Sequence, residues 1–491
     1  MTDAATGLPP EAAASLMRVV TGSRWFAGKG RRAELRSFTP LPWLNDPAAP
    51  TSAEAGADEV PRVRLAVIEV AYPDEHAVEH YQLALAHRHD RVPDGVAAAA
   101  AELYVDEGSV VYDATQDVAG ARVLLQALLA SEEVTSEVGR VRFDLRDAAA
   151  ITPDLEPQVF RGQQSNTSVM FGDVAMLKLF RRLELGRNLD IQVHAALNDA
   201  GMTDVARLFG SVEATWTAPD GEVLGADLAM CVEKLADAVD GWDLALASLE
   251  AETRGAAREV PSSDDGFAAH AAALGRALAE VHTALRTAFG TTGQPGSTVA
   301  SVMTQRLATA AAIAPALRPY ADGLTERFAA LEGTELDAQR VHGDFHLGQT
   351  LHTPSGWKII DFEGEPAKTL AERVAPDSVW RDVAGMMRSF DYAAASVPGD
   401  AAGAWRDGCR EAFLAGYTDG RGLGADDAGL LAAYEADKAV YEVVYETRNR
   451  PDWVGIPLGA VAVLAAAPPD PTGSPASDPR TNDGSKPEEL A

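Results

Sequence analysis

Residues 341–349 read VHGDFHLGQ, and residues 359–363 read IIDFE. The first stretch sets the carboxylate of Asp344 in a tight polar turn and the amide of Gln349 five residues on. The second places Asp361 at the end of the apolar run Trp357-Lys358-Ile359-Ile360. Kinase-type phosphoryl transfer uses such a set: one Asp orients the attacking hydroxyl, and an amide and a second Asp hold Mg²⁺ against the phosphates. Asp344 is therefore expected as catalytic base, with Gln349 and Asp361 as oxygen ligands of Mg²⁺. His342 and His346 are expected to bond the turn, Asp344 or the substrate. A rival reading makes His342, Asp344 and His346 a metal-hydrolase set, since His and Asp both ligate zinc. It leaves Asp361 and Lys178 without a task.

Lys178 lies inside an apolar strand, Ala175-Met176-Leu177-Lys178-Leu179-Phe180. An ammonium there must be exposed or paired, and ATP phosphates are the expected partner. The turn Gln164-Ser165-Asn166-Thr167 precedes that hairpin and would cover the phosphates with backbone N–H groups. It is not a Walker sequence. At residues 230–235, MCVEKL, the backbone of Glu233 and Leu235 is placed to hold an adenine edge. Farther on, Tyr441 and Tyr445 form one i, i+4 stripe of a helix and Glu442 and Glu446 the next. Arg448 follows them. Aromatics beside carboxylates and Arg suit a sugar, whose apolar face stacks and whose hydroxyls bond; the same stripe also suits a core.

The elements that must position these groups fall into segments. A chain of 491 residues suits two or three domains. Residues 1–130 are expected as an α+β unit, with strands at 62–72 and 79–87 and a helix at 118–130. Residues 131–235 form a small β-rich nucleotide-binding lobe, with a hairpin about Gly172-Asp173 and a helix over 190–200. Residues 236–467 form a mainly helical lobe carrying the catalytic and sugar groups, with long helices at 268–285, 299–331 and 425–449. The Ala/Pro/acid-rich segment at 43–61 and PSSDDG at 261–266 read as loops, and 468–491 as a disordered tail.

A net charge of −31 argues against nucleic-acid and anionic-membrane partners. Residues 1–16 lack the basic start and apolar core of a signal peptide, and no uninterrupted apolar run reaches membrane-spanning length, so neither a leader nor a span is expected. Only two cysteines, Cys231 and Cys409, point to a reducing cytoplasmic compartment. A monomer and a homo-oligomer both fit the sequence.

Several runs resemble bacterial maltokinases: Arg24-Trp25-Phe26-Ala27-Gly28-Lys29, 164–168, Lys178 with Phe180-Arg181-Arg182, 342–349, DFEGEP at 361–366, RDVAGM at 381–386, and YEVVYE at 441–446 with 448–453. The resemblance spans nearly the whole chain except the acidic loop near residue 50 and the tail. It implies an α+β, bilobal protein-kinase-like (aminoglycoside phosphotransferase-like) fold with an N-terminal α+β cap. It implies Asp344 as base, Gln349 and Asp361 as metal ligands, and Lys178 on phosphate. The implied reaction is ATP plus maltose giving ADP and maltose 1-phosphate, feeding glycogen and α-glucan synthesis, with trehalose synthase a candidate partner. One position departs: where the family tends to carry Glu, this chain has Gln192, and Asp190 or Glu184 would have to pair with Lys178. Two alternatives stay open: an aminosugar kinase such as a glucosamine kinase, whose ammonium Glu442 and Glu446 would face, and a catalytically silent ATP-binding regulator.

Overall fold

In the computed structural model, residues 7–45, 60–88, 102–106, 108–147, 151–160, 166–254, 266–365, 368–397 and 399–466 are described. The chain divides into two compact units, Met1–Thr292 with Asp337–Leu423, and Gly293–Leu336 with Gly424–Ala491. The helical segment expected over 236–467 is thereby shared between them.

In the first unit, α1 (Pro10–Gly22) leads into β1 (Glu34–Trp43), β2 (Arg62–Tyr72), β3 (Ala77–Arg88), β4 (Tyr104–Asp106) and β5 (Ser109–Asp113). These strands form an antiparallel sheet in the order β1-β2-β3-β5-β4. The runs of Val, Ile, Leu and Ala in β2 and β3 bury both faces at the sheet centre. Helix α2 (Val118–Leu129) starts where the Asp117 side chain accepts the Ala119 N–H. Its Leu124 and Leu128 share one apolar cluster with Val67 of β2 and with Phe171, Leu177 and Met230 of a second sheet. Cap and lobe therefore have a common core, each buried aliphatic side chain contributing about 1.5–3 kcal/mol.

The second sheet comprises β6 (Glu133–Thr135), β7 (Gly139–Leu145), β8 (Pro157–Val159), β9 (Thr167–Phe171), β10 (Ala175–Leu179), β12 (Leu208–Thr217) and β13 (Val223–Glu233), ordered β6-β7-β12-β13-β10-β9-β8. Between β10 and β12, the short β11 (Arg182–Leu183) crosses to pair with β3 of the cap. The β9–β10 hairpin turns at Gly172, whose φ of 55° favours glycine. Helix α3 (Leu189–Asp199) is capped by Asn188, which accepts the Ile191 N–H.

Helices then dominate: α4 (Gly241–Thr253), α5 (Phe267–Phe289), α6 (Gly296–Ile313), α7 (Ala321–Ala329), α8 (Leu370–Val374), α9 (Trp380–Ser396), α10 (Ala402–Tyr417), α11 (Ala425–Asn449) and α12 (Gly455–Ala465). Of these, α6, α7, α11 and α12 belong to the second unit. The long helical pattern over 299–331 is broken there. Pro315 and Pro319 turn Pro315–Tyr320 into a 3-10 segment between α6 and α7, because proline lacks an N–H and disfavours helical backbone before it. Among the described residues no helix is long and apolar enough to cross a membrane.

Helices α5 and α10 cross at glycines. A Cβ on Gly275 would stand 2.2 Å from the Phe413 carbonyl oxygen, and one on Gly416 2.1 Å from that of Ala272. Alanine ordinarily stabilises a helix relative to glycine, but here backbone blocks it. Gly275→Ala should lower stability by about 1–3 kcal/mol, read by urea denaturation; an unchanged or raised midpoint would contradict the close crossing.

Candidate active site

Strand alternation on β10 sends Leu177 and Leu179 into the core and Lys178 to the opposite face. The Lys178 ammonium lies 3.2 Å from Asp190 Oδ2 in the first turn of α3 and 3.0 Å from Glu363 Oε1. Asp190, 3% exposed, accepts the Phe362 N–H (3.1 Å) and lies 3.0 Å from His194 Nδ1 through its other oxygen. Burial opposes ionisation of Asp190, but Lys178 and His194 outweigh it and hold the carboxyl far below the usual range. Burial likewise works against the ammonium, yet Asp190, Glu363 and Asp361 raise the Lys178 pKa above that of an ordinary lysine. Burial pushes the Glu363 carboxyl up against the pull of Lys178. Gln192, by contrast, bonds the exposed Arg187 carbonyl, and Glu184 pairs with Arg373. Asp190 therefore fills the pairing place that Gln192 leaves.

The turn with Asp344 is clamped from α9. Asp382, fully buried, accepts the His342 N–H (2.7 Å) on Oδ2 and the Gly343 N–H (2.8 Å) on Oδ1. His282 of α5 lies 2.9 Å from Asp382 Oδ2 and bonds the Tyr417 hydroxyl with its other ring nitrogen. Burial would raise the Asp382 carboxyl; His282, His342 and the Gly343 amide outweigh it and hold it below the ordinary value. The neighbouring Arg381 donates to the Gly343 carbonyl (3.2 Å) and to Glu365 (2.7 Å), and so joins the turn to the loop after Asp361. Gly343 makes the turn at φ 86°.

The histidines serve the turn itself. His342 is 1% exposed; its Nε2 lies 2.9 Å from the Ile360 carbonyl and its Nδ1 accepts the Asp344 N–H at 3.4 Å. Both ring nitrogens are used in bridging Asp344 to the residue before Asp361, the turn-bonding role among those expected of His342. His346 Nδ1 accepts the Gly348 N–H and caps the 3-10 turn Leu347–Gln349. The Gln349 carbonyl accepts the Ile360 N–H (3.1 Å), which brings Gln349 beside Asp361.

Asp361 holds φ 65°, a left-handed conformation costly for a non-glycine residue. Oxygens of Asp190, Asp361 and Glu363 lie within 4.8 Å of one another, close enough to share a cation. Hard carboxylate oxygens fit Mg²⁺. Among the described residues His342, Asp344 and His346 form no such group, so the metal-hydrolase set is not assembled.

The remaining candidates are dispersed. Gln164 and Ser165 lie outside the described residues. Asn166 precedes β9, and Thr167 Oγ1 accepts from the buried Arg181 (2.7 Å). Glu233 ends the central strand β13, its N–H on the Arg207 carbonyl (2.8 Å), and Leu235 follows it out of the sheet. The second unit carries Tyr441, Glu442, Tyr445, Glu446 and Arg448 on α11. Tyr441 and Tyr445 are exposed and their rings stack at 6.4 Å. Glu442 is buried. Glu446, 1% exposed, is chelated by Arg450 through bonds of 2.9 and 2.6 Å, an i, i+4 pair. Glu363, Asp382 and His282 were not singled out from the sequence. The second acid of the DFE run was the available signal for Glu363; the other two show only through contacts distant in sequence.

The fold and the clamped acid turn define a phosphoryl-transfer enzyme of kinase-like build. A model of the phosphotransferase enzyme family matches residues 158–427, and one of the maltokinase N-terminal cap domain matches 20–117. The chain belongs to the phosphotransferase enzyme family, and its N-terminal part matches the maltokinase cap domain. It is 31% identical over 361 residues to a glucosamine kinase of Streptacidiphilus jiangxiensis, covering 68% of this chain and 78% of that one. It is 30% identical over 322 residues to a glucosamine kinase of Mycolicibacterium smegmatis (strain ATCC 700084 / mc(2)155), covering 61% and 77%. A solved glucosamine kinase in complex with glucosamine, ADP and inorganic phosphate superposes with a TM-score of 0.63 at 22% identity, covering 91% of this chain and 98% of that one; at that identity the likeness concerns the fold.

Asp382→Ala strands two buried N–H groups and should lower stability by roughly 3–5 kcal/mol in urea denaturation. Because the folded pKa of Asp382 is depressed, its ionisation stabilises above 3.8 and that part is lost as pH falls through the folded value. The stability gap between wild type and Asp382→Asn should thus be full at neutral pH and narrow in acid; a gap that widens in acid would contradict the assignment.

Proposed function

We propose that the protein is an ATP-dependent maltokinase, converting ATP and maltose to ADP and maltose 1-phosphate and so feeding glycogen and α-glucan synthesis. The observation that carries this reading is the convergence of Asp190 from the small lobe with Asp361 and Glu363 from the catalytic side on the single ammonium of Lys178. Lys178 would bind the α- and β-phosphates, with the 164–167 turn over them and the Glu233–Leu235 backbone along the adenine edge. Gln349 and Asp361 would hold Mg²⁺, which neutralises phosphate charge when bound. Asp344 orients the anomeric hydroxyl and takes its proton; that oxygen attacks the γ-phosphorus, and the bond to the β–γ bridging oxygen breaks to release ADP.

Three observations favour maltose. The cap match is to the maltokinase cap; the 441–453 run resembles that of maltokinases; and Glu446, a candidate counter-ion for an aminosugar, is tied to Arg450. Sugar contact is proposed for Tyr441, Glu442, Tyr445, Arg448 and, near the base, His346. The second reading, a glucosamine kinase, is favoured by both curated relatives. Both cysteines are buried and unpaired, in keeping with a reducing cytoplasmic compartment. A trehalose synthase is the proposed partner.

A coupled ADP-release assay over maltose, glucosamine, glucose and kanamycin should show turnover of maltose; turnover of glucosamine without maltose would reverse the assignment. Asp344→Asn should lower kcat by about 10²–10⁴-fold with little change in melting temperature. Full activity of that variant would remove Asp344 from the base role. Activity that survives EDTA would remove the metal from Gln349 and Asp361.

A further inference from the structure

Two carboxylates hold the Lys178 ammonium, and they differ in how firmly they are themselves held. Asp190 uses both oxygens, one on Lys178 and one on the Phe362 N–H and His194. Withdrawing it would strand a buried amide as well as the ammonium. Glu363 makes one contact to Lys178, at 3.0 Å, and its side chain is 31% exposed. Its backbone is fixed, because Arg373 donates to the Glu363 carbonyl at 2.8 Å. The carboxylate is thus held less firmly than the main chain that carries it. Its destination is near: its carboxylate oxygens already lie within 4.8 Å of those of Asp361 and Asp190.

Charge gives the swing a direction. Three carboxylates surround one ammonium, so the centre is negative and repels a bare polyphosphate. In addition, Asp190 and Glu363 engage two of the three N–H donors of Lys178, so contact with both the α- and β-phosphates would need the one that Glu363 holds. Both obstacles vanish together if a divalent cation arrives with the nucleotide and draws Glu363 off the lysine.

We propose that Glu363 is an exchange residue: it holds Lys178 in the nucleotide-free protein, then passes the ammonium to a phosphate oxygen and turns to the metal beside Asp361. This rests on the kinase reading above. It makes nucleotide affinity depend on the cation through one side chain, two residues beyond Asp361.

The test is equilibrium titration of ATP by calorimetry, in EDTA and in Mg²⁺, on wild type, Glu363→Gln and Glu363→Ala, with melting curves to establish folding. Wild type should bind ATP at least about tenfold more weakly in EDTA. In both variants the metal-free affinity should rise about tenfold, while the Mg²⁺ concentration that half-restores tight binding should increase by about the same factor. The ratio of the two affinities therefore collapses. An unchanged ratio in folded variants, or a metal-free affinity that falls, would overturn the exchange and leave the kinase reading standing. Wild type that binds no ATP even with Mg²⁺ would overturn the kinase reading and the exchange with it.

Discussion

A desolvated ammonium must have a counter-ion, and the pair formed by Lys178 and Asp190 ties together the elements around the centre. Removing Lys178 would leave Asp190 and Glu363 without their cation, a loss of about 3–5 kcal/mol. Asp190 also holds the Phe362 amide, so the pair fixes three things at once: β10, the first turn of α3, and the loop that carries Asp361. An apolar pair of the same volume would fill the space as stably. Retaining charge there makes sense only if the ammonium has a further task.

A second clamp, Asp382, works on the other half of the centre. It gathers the amides of His342 and Gly343 and is itself oriented by His282. The two halves are joined by His342 on the Ile360 carbonyl and by Arg381 between Gly343 and Glu365. The Asp344 turn and the Asp361 loop are therefore held relative to one another by hydrogen bonds that engage the backbone of both strands of the centre. This is the preorganisation that phosphoryl transfer requires, since little covalent chemistry is left for the protein to perform.

Much of this was legible in the chain because the signals are local. The Gly172-Asp173 hairpin, the β2 and β3 runs, α2, α3 and α11 all follow from periodicity and turn chemistry. Lys178 stood out because one charge interrupts an aliphatic strand. What was not legible depends on contacts across long separations: Glu363 meets Lys178 across 185 residues, and Asp382 meets His342 across 40. The bond of His342 to the Ile360 carbonyl is hidden for the same reason, since that carbonyl belongs to another loop. The break in the 299–331 helix was a local signal overlooked: Pro315 stands in an alanine-rich run whose helical period continues on both sides.

The account stands or falls on where the phosphoryl group goes. Phosphorus NMR of the product formed from ATP, Mg²⁺ and maltose reads this directly, because an anomeric phosphate couples to the proton on C1. The account predicts ADP together with a single sugar phosphate showing that coupling, and none with Asp344→Asn. A phosphate on another carbon, a product formed from glucosamine alone, or release of inorganic phosphate without a sugar ester would contradict it.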